Sequence, residues 1–235
     1  MATGSGQHYF RHRLAHGSVV RSRDEFLTQL ATEKRVVHVG CVDWPVTSER
    51  LRDGSLLHGK LLAAANDVLG VDIDLEGMDS LKSALGGSYS RLDLALDSAD
   101  LTEICAFGPD LVIAGDVIEH VPSAQAFVDG LARVAAATGA IVVVTTPNSL
   151  AFRNVINTAV GIEMMHPDHV AIYSPFILKT VIQRSGLMID TWSFYTVTTG
   201  VDVAHRIYDG IARLSGHVRS AWGDGHIVVC STASR

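Results

Sequence analysis

Asp110-Leu-Val-Ile-Ala-Gly-Asp-Val-Ile-Glu-His-Val121 starts as an apolar run and turns at Gly115 into a cluster of acids and a histidine. A run of four apolar residues bounded by polar ones reads as a strand buried on both faces. The glycine at its end lets the backbone turn or approach a ligand closely. Working outward, the same grammar recurs. Upstream, Arg35-Val-Val-His-Val-Gly40 and Val68-Leu-Gly-Val-Asp72 are strands, and Ser90-Arg-Leu-Asp93 is a short one. Downstream, Ala140-Ile-Val-Val-Val144 runs into Thr145-Thr-Pro-Asn148, and Met188–Tyr195 and His226–Cys230 close the series. Between them lie helical patterns from Asp24, over 55–66, 78–85, 98–106 and 124–137, from Pro175 to Ser185, and from Val201 to Leu214. Strands alternating with helices predict an α/β fold with a parallel sheet covered on both faces. In such sheets ligands sit at the carboxyl ends of the strands.

The chain has 235 residues, 47% of them apolar and 19% charged, which fits one domain and excludes a disordered chain. The expected organisation is a polar, basic N-terminal arm over residues 1–24 and a single domain over 25–235. No apolar run approaches the length needed to span a bilayer, and no secretory signal opens the sequence. The three cysteines, Cys41, Cys105 and Cys230, match neither a zinc spacing nor a disulfide framework. A cytoplasmic location is the simplest expectation. Net charge is −6, unevenly spread: residues 61–130 carry two basic and 13 acidic side chains. That balance argues against a broad nucleic-acid surface.

The strand ends carry the chemistry. Asp72, some thirty residues after the first glycine, is placed where a carboxylate can accept both hydroxyls of a ribose. Asp74 rivals it, or caps the following helix. No G-x-G-x-x-G follows the first strand, so a dinucleotide site is disfavoured. Asp116, Glu119 and His120 share one face at i, i+3 and i+4. His166-Pro-Asp-His169 follows about fifty residues later. Two carboxylates and two histidines make a ligand set for a divalent ion; the plain alternatives are ordinary scaffolding and a solvated loop.

In their order and spacing, His38-Val-Gly-Cys41, Gly70-Val-Asp-Ile-Asp74, Asp110–Val121 and Thr145–Asn148 resemble the class I S-adenosylmethionine (SAM)-dependent methyltransferases. The resemblance covers roughly residues 35–195. It implies a Rossmann-like, seven-stranded, mostly parallel sheet with the last strand antiparallel. It implies SAM as cofactor, with Gly40 against the methionine part, Asp72 on the ribose, Asp93 near the adenine amine and Gly115 at the methionine end. His38 stands where that family usually has an acid and Val42 where it has glycine, so how the methionine carboxylate is held is an open question. The second motif set is similar to the metal site of the small-RNA 2′-O-methyltransferases. That likeness implies a divalent metal, Mg²⁺ or Mn²⁺, held by Asp116, Glu119, His120 and His169. A base beside the ion would take the acceptor's proton, and His166 is the candidate for that catalytic role, the alternatives being a ligand in place of His169 or a loop histidine.

Metal-assisted deprotonation suits a hydroxyl acceptor, which barely ionises at neutral pH. The expected reaction is therefore O-methyl transfer to a small saccharide or polyol, a pattern also similar to bacterial glycan O-methyltransferases. The alternatives are RNA-end 2′-O-methylation, metal-free methylation of a small metabolite, and a non-catalytic SAM-binding module. Nucleic acid and membrane are not expected partners, and a homo-oligomer is open. His8, His12 and His16, spaced i, i+4, i+8, read as part of a solvated arm that could fold over the cofactor. Trp44 could wall the site or enter the core. Tyr173, Tyr208 and Trp222 are possible sugar platforms, and His205–Tyr208 a possible acceptor lid.

Overall fold

A computed structural model of the chain describes residues 16–198, 209–211, 214–216 and 218–233. The expectations for His8, His12, Tyr208, the lid at 205–208 and most of the helix at 201–214 lie outside them.

The strands are β1 (Ser18–Val20), β2 (Arg35–Val39), β3 (Asp67–Asp72), β4 (Ser88–Arg91), β5 (Leu111–Gly115), β6 (Ile141–Pro147), β7 (Leu187–Tyr195) and β8 (Gly225–Thr232). The helices are α1 (Arg23–Ala31), α2 (Thr47–Asp53), α3 (Leu57–Ala64), α4 (Leu75–Leu85), α5 (Thr102–Phe107), α6 (Ala124–Thr138), α7 (Phe152–Ala159) and α8 (Pro175–Arg184). All strands form one sheet in the order β1-β7-β8-β6-β5-β2-β3-β4. Only β8 runs against its neighbours, antiparallel to both β6 and β7. The chain leaves β2 in one direction toward β3 and β4, then returns to β5 on the other side. The switch point of this doubly wound sheet therefore lies between β2 and β5.

The sheet has eight strands, not the expected seven. The extra one, β1, pairs in parallel with β7 through Ser18, Val19 and Val20. Three residues are too few for a period to show, so only the edge left open by β7 decides their conformation. The stretch expected as an arm thus includes an edge strand, and α1 opens at Arg23 rather than later. The third predicted strand sits two residues earlier, at 88–91, which leaves Asp93 beyond its end.

Alternation along β2 feeds both faces of the sheet. Val37 and Val39 join the core under α6 and α8, with Leu131, Val134 and Leu178. Val36 points the other way, to Leu27, Leu57 and Leu61 of α1 and α3. α6 shows how a local sequence sets an element. Ser123 caps its first turn by accepting the Ala126 N–H, and Gly139, in the left-handed region, ends it. Its buried stripe of Phe127, Val128, Leu131, Val134 and Ala135 covers β5 and β6.

Candidate active site

The strand ends at the switch point open into a cavity of about 900 Å³. Every residue proposed from the sequence for the cofactor, the metal or the base lines it: Gly40, Asp72, Asp93, Gly115, Asp116, Glu119, His120, His166 and His169.

On the β2–β3 side, Gly40 has φ +74, a conformation that side chains resist, and a Cβ there would run into Val117. Its N–H donates to Val71 O at 2.8 Å. Asp72 accepts the Val42 N–H at 2.9 Å on one oxygen, and those of Ile73 and Asp74 on the other. It therefore fixes the glycine loop as well as facing the cavity. Burial raises its pKa against the pull of those N–H groups. Asp74 is the cap of α4, accepting the Gly77 N–H at 3.1 Å. Asp93 accepts the Ala95 N–H at 2.9 Å, forming the turn that brings Leu94 and Ala95 to the wall. Trp44 is 68% exposed and belongs to the cavity rim, not to the core. Tyr173 is buried, its hydroxyl donating to Ile118 O at 3.1 Å, which removes it as a sugar platform.

On the β5–β6 side, the Thr145-Thr146 pair holds both acids. Asp116, with φ +55, receives the Thr145 hydroxyl at 2.7 Å, and its N–H donates back to Thr145. Its other oxygen is paired with Arg23 at the start of α1. Glu119 is fully buried and accepts the Thr146 hydroxyl at 2.9 Å, while its Oε1 has no partner. Burial, and next the neighbouring Asp116 charge, push its pKa up to about 8. Asn148 donates to Ala221 O and Gly223 O, so the last residue of that motif is scaffold.

The loop carrying His166 and His169 is tied to the β5 end by backbone. The Val170 N–H donates to Glu119 O at 2.9 Å, and His120 Nδ1 lies 3.2 Å from Asp168 O. The result is a histidine triad. His120, His166 and His169 each offer a ligand atom, all within 4.8 Å of one another. A carbonyl only accepts, so His120 Nδ1 carries a proton, and Nε2 is the atom left to face the other two rings. His166 Nδ1 accepts the Asp168 N–H at 3.3 Å. His169 Nδ1 is buried without a partner. Burial, and next the charges of His120 and His166, hold His169 below the usual imidazole range, in its neutral form.

This grouping differs from the expected ligand set in three ways. His166, expected as a base, stands in the triad. Asp116, expected as a ligand, is turned to Arg23 and Thr145 outside it. Glu119, also expected as a ligand, stands outside the group too, its carboxylate buried on Thr146 with one oxygen open. Arg23 went unnoticed in the sequence as one of four arginines in a basic stretch. The nearby His38–His58–Tyr89 chain, with contacts of 3.1 Å at both joints, was also missed as a unit. Partners twenty and thirty-one residues apart leave no periodic signal.

No model of a known protein family matches the chain, and no curated protein sequence matches it. Solved structures do. A TehB-like SAM-dependent methyltransferase from Corynebacterium glutamicum superposes with TM-score 0.52 at 16% identity, over 89% of this chain and 86% of that one. The magnesium protoporphyrin IX methyltransferase of Synechocystis PCC 6803, with bound S-adenosylhomocysteine, gives 0.54 at 15%, over 89% and 82%. The methyltransferase domain of a bacterial Hen1 protein gives 0.52 at 16%, over 88% and 94%. The chain thus has the Rossmann-like fold of SAM-dependent methyltransferases.

Proposed function

We propose that this chain transfers a methyl group from SAM to a hydroxyl of a small saccharide or polyol, with a divalent ion held at the histidine triad. One observation carries the reading: a single cavity joins the Gly40 and Asp72 strand ends to three converging imidazoles. Fold alone would not choose a reaction, because sites rather than folds define chemistry.

The donor set fits an ion. Three imidazoles converge, and two buried atoms, Glu119 Oε1 and His169 Nδ1, have no partner. His120 is already oriented through its Nδ1, as a ligand supported from behind by a carbonyl. When bound, a divalent ion lowers the pKa of a coordinated hydroxyl and fixes its position. The protein's own part is orientation. Gly40 and Gly115 leave room for the donor at the strand ends, and Asp72 stands ready for its ribose. Glu119 is held by Thr146, its carbonyl fixes the loop that carries His166 and His169, and its open carboxylate oxygen lines the same cavity. The exposed Trp44 gives the cavity mouth an apolar face against which a sugar ring can pack.

The test is calorimetric titration of Mg²⁺ and Mn²⁺ into protein loaded with S-adenosylhomocysteine. One-site binding that is lost in His120→Ala and His169→Ala, with nucleoside affinity intact, is expected. Transfer of labelled methyl to a saccharide panel, sensitive to EDTA, completes it. No heat from either ion and full activity in EDTA would leave metal-free methylation. The likeness of the Asp116–His120 and His166–His169 motifs to small-RNA 2′-O-methyltransferases favours one further reading, methylation of an RNA end. Tight retention of short RNAs in a filter-binding titration would select it over the saccharide.

A further inference from the structure

The cavity wall behind Gly40 and Gly115 is polar and carries an ion pair that none of the assignments above uses. Arg23 is paired with Asp116 across 93 residues of sequence, and both line the cavity. Arg23 is largely buried, its side chain 17% exposed. Its Nε donates to Asp24 at 3.0 Å, and Nη2 also lies 3.0 Å from that carboxylate. Asp24 is itself shared with Lys60 at 2.7 Å. A guanidinium has five N–H groups. These contacts use three, and one on each terminal nitrogen is left. Beside the pair, His38 is 2% exposed, lines the same cavity and has no partner for Nε2.

We propose that Arg23 binds the carboxylate of the cofactor's amino-acid tail, with Asp116 beside it facing the tail's ammonium. The inference rests on the cofactor reading above and deepens it. Asp72 and Asp93 mark the nucleoside end of the cavity. A ligand lying from there across Gly40 and Gly115 ends at the wall that holds Arg23. That end of SAM is a zwitterion, and an enclosed zwitterion needs a charge of each sign. The glycine loop, with Val42 where the resembling family has glycine, offers little to a carboxylate. A guanidinium presents two parallel N–H groups to one. The assignment also accounts for Asp116 lying outside the histidine triad: its carboxylate orients Arg23.

Equilibrium binding of two ligands tests this without any turnover. S-adenosylhomocysteine has the tail, and 5′-methylthioadenosine keeps the nucleoside and sulfur but lacks the amino acid. Arg23→Gln should weaken S-adenosylhomocysteine by about tenfold or more, as loss of a charged hydrogen bond implies. It should leave methylthioadenosine within about twofold, and Arg23→Lys should recover part of the loss. Equal loss for both ligands would mean that Arg23 only shapes the pocket, and unchanged S-adenosylhomocysteine affinity would also overturn the assignment. An S-adenosylhomocysteine analogue lacking only the carboxylate makes the same test on the unaltered chain: it should bind about tenfold more weakly, and undiminished binding overturns the assignment even if Arg23→Gln does not fold. An unaltered chain that binds neither nucleoside would overturn the cofactor reading together with this inference.

Discussion

At the end of β3 the Asp72 carboxylate accepts three backbone N–H groups, and one of them, from Val42, belongs to the glycine loop after β2. The same side chain shapes the loop and faces the cavity. Each oxygen can accept more than one hydrogen bond, so its occupancy by backbone does not exclude a ribose. Asp72→Ala should lower S-adenosylhomocysteine affinity by about tenfold or more in a calorimetric titration. Unchanged affinity would sink the ribose assignment. At this scale the sequence was a good guide to position and a poor guide to partners. Gly40, Asp72, Asp93 and Gly115, picked as strand-end residues, all line the cavity, because a strand's end is a local property. That Asp116 would pair with Arg23 instead of joining the histidines was illegible, since nothing in either segment refers to the other.

Helix α6 binds its face of the sheet through a close approach at Gly130. A Cβ there would run into the backbone carbonyl of Leu94, the residue after Asp93. The space is needed because Arg133, one turn on, donates to the carbonyls of Leu94 and Leu96 at 3.3 and 2.6 Å and holds that loop to the helix. Gly130→Ala would improve helix propensity by up to ~1 kcal/mol, but must push helix and loop apart. We expect a net loss of about 1–3 kcal/mol in urea unfolding, the usual cost of overpacking, with weaker nucleoside binding because Asp93 and Ala95 move with the loop. Stability equal to the parent would show that the contact is soft. The stripe of α6 was plain in the sequence; that Gly130 faces a carbonyl depended on the packing of a loop from another part of the chain. The short helices α2 and α7 were not anticipated. Neither has a side-chain cap hydrogen bond, so the N-terminal signal was missing, and neither buries a residue fully.

Across the whole molecule, two fully buried histidines set an acid limit. Burial pushes His58 down to about 4, and burial likewise holds His226 at about 4 against the Tyr173 carbonyl it donates to. In the unfolded chain both would titrate near 6.5. Between roughly pH 6.5 and 4 the unfolded state takes up protons that the folded state refuses, so stability falls as pH falls through that window. The loss is of order 2 kcal/mol per histidine by pH 5. Glu119, held at about 8, acts in the opposite sense, so the informative quantity is a difference between chains. Urea unfolding of the parent and of His226→Gln at pH 7 and pH 5 should show a shallower acid loss in the variant. Equal slopes would mean that His226 is not held neutral. No helix among the described residues is long and apolar enough to cross a membrane.

What the sequence determined by itself is what short range encodes: the alternation of strands and helices, the doubly wound sheet that follows from it, and the polar residues at its strand ends. What only the tertiary structure decided is which of these meet. The eighth strand exists because β7 left an edge to pair with. The triad exists because the Val170 N–H bond to the Glu119 carbonyl and the His120 side-chain bond to the Asp168 carbonyl hold the 166–169 loop at the end of β5. Arg23 reaches the cavity because α1 starts beside the switch point, where a buried charge must find its partner in space rather than in sequence.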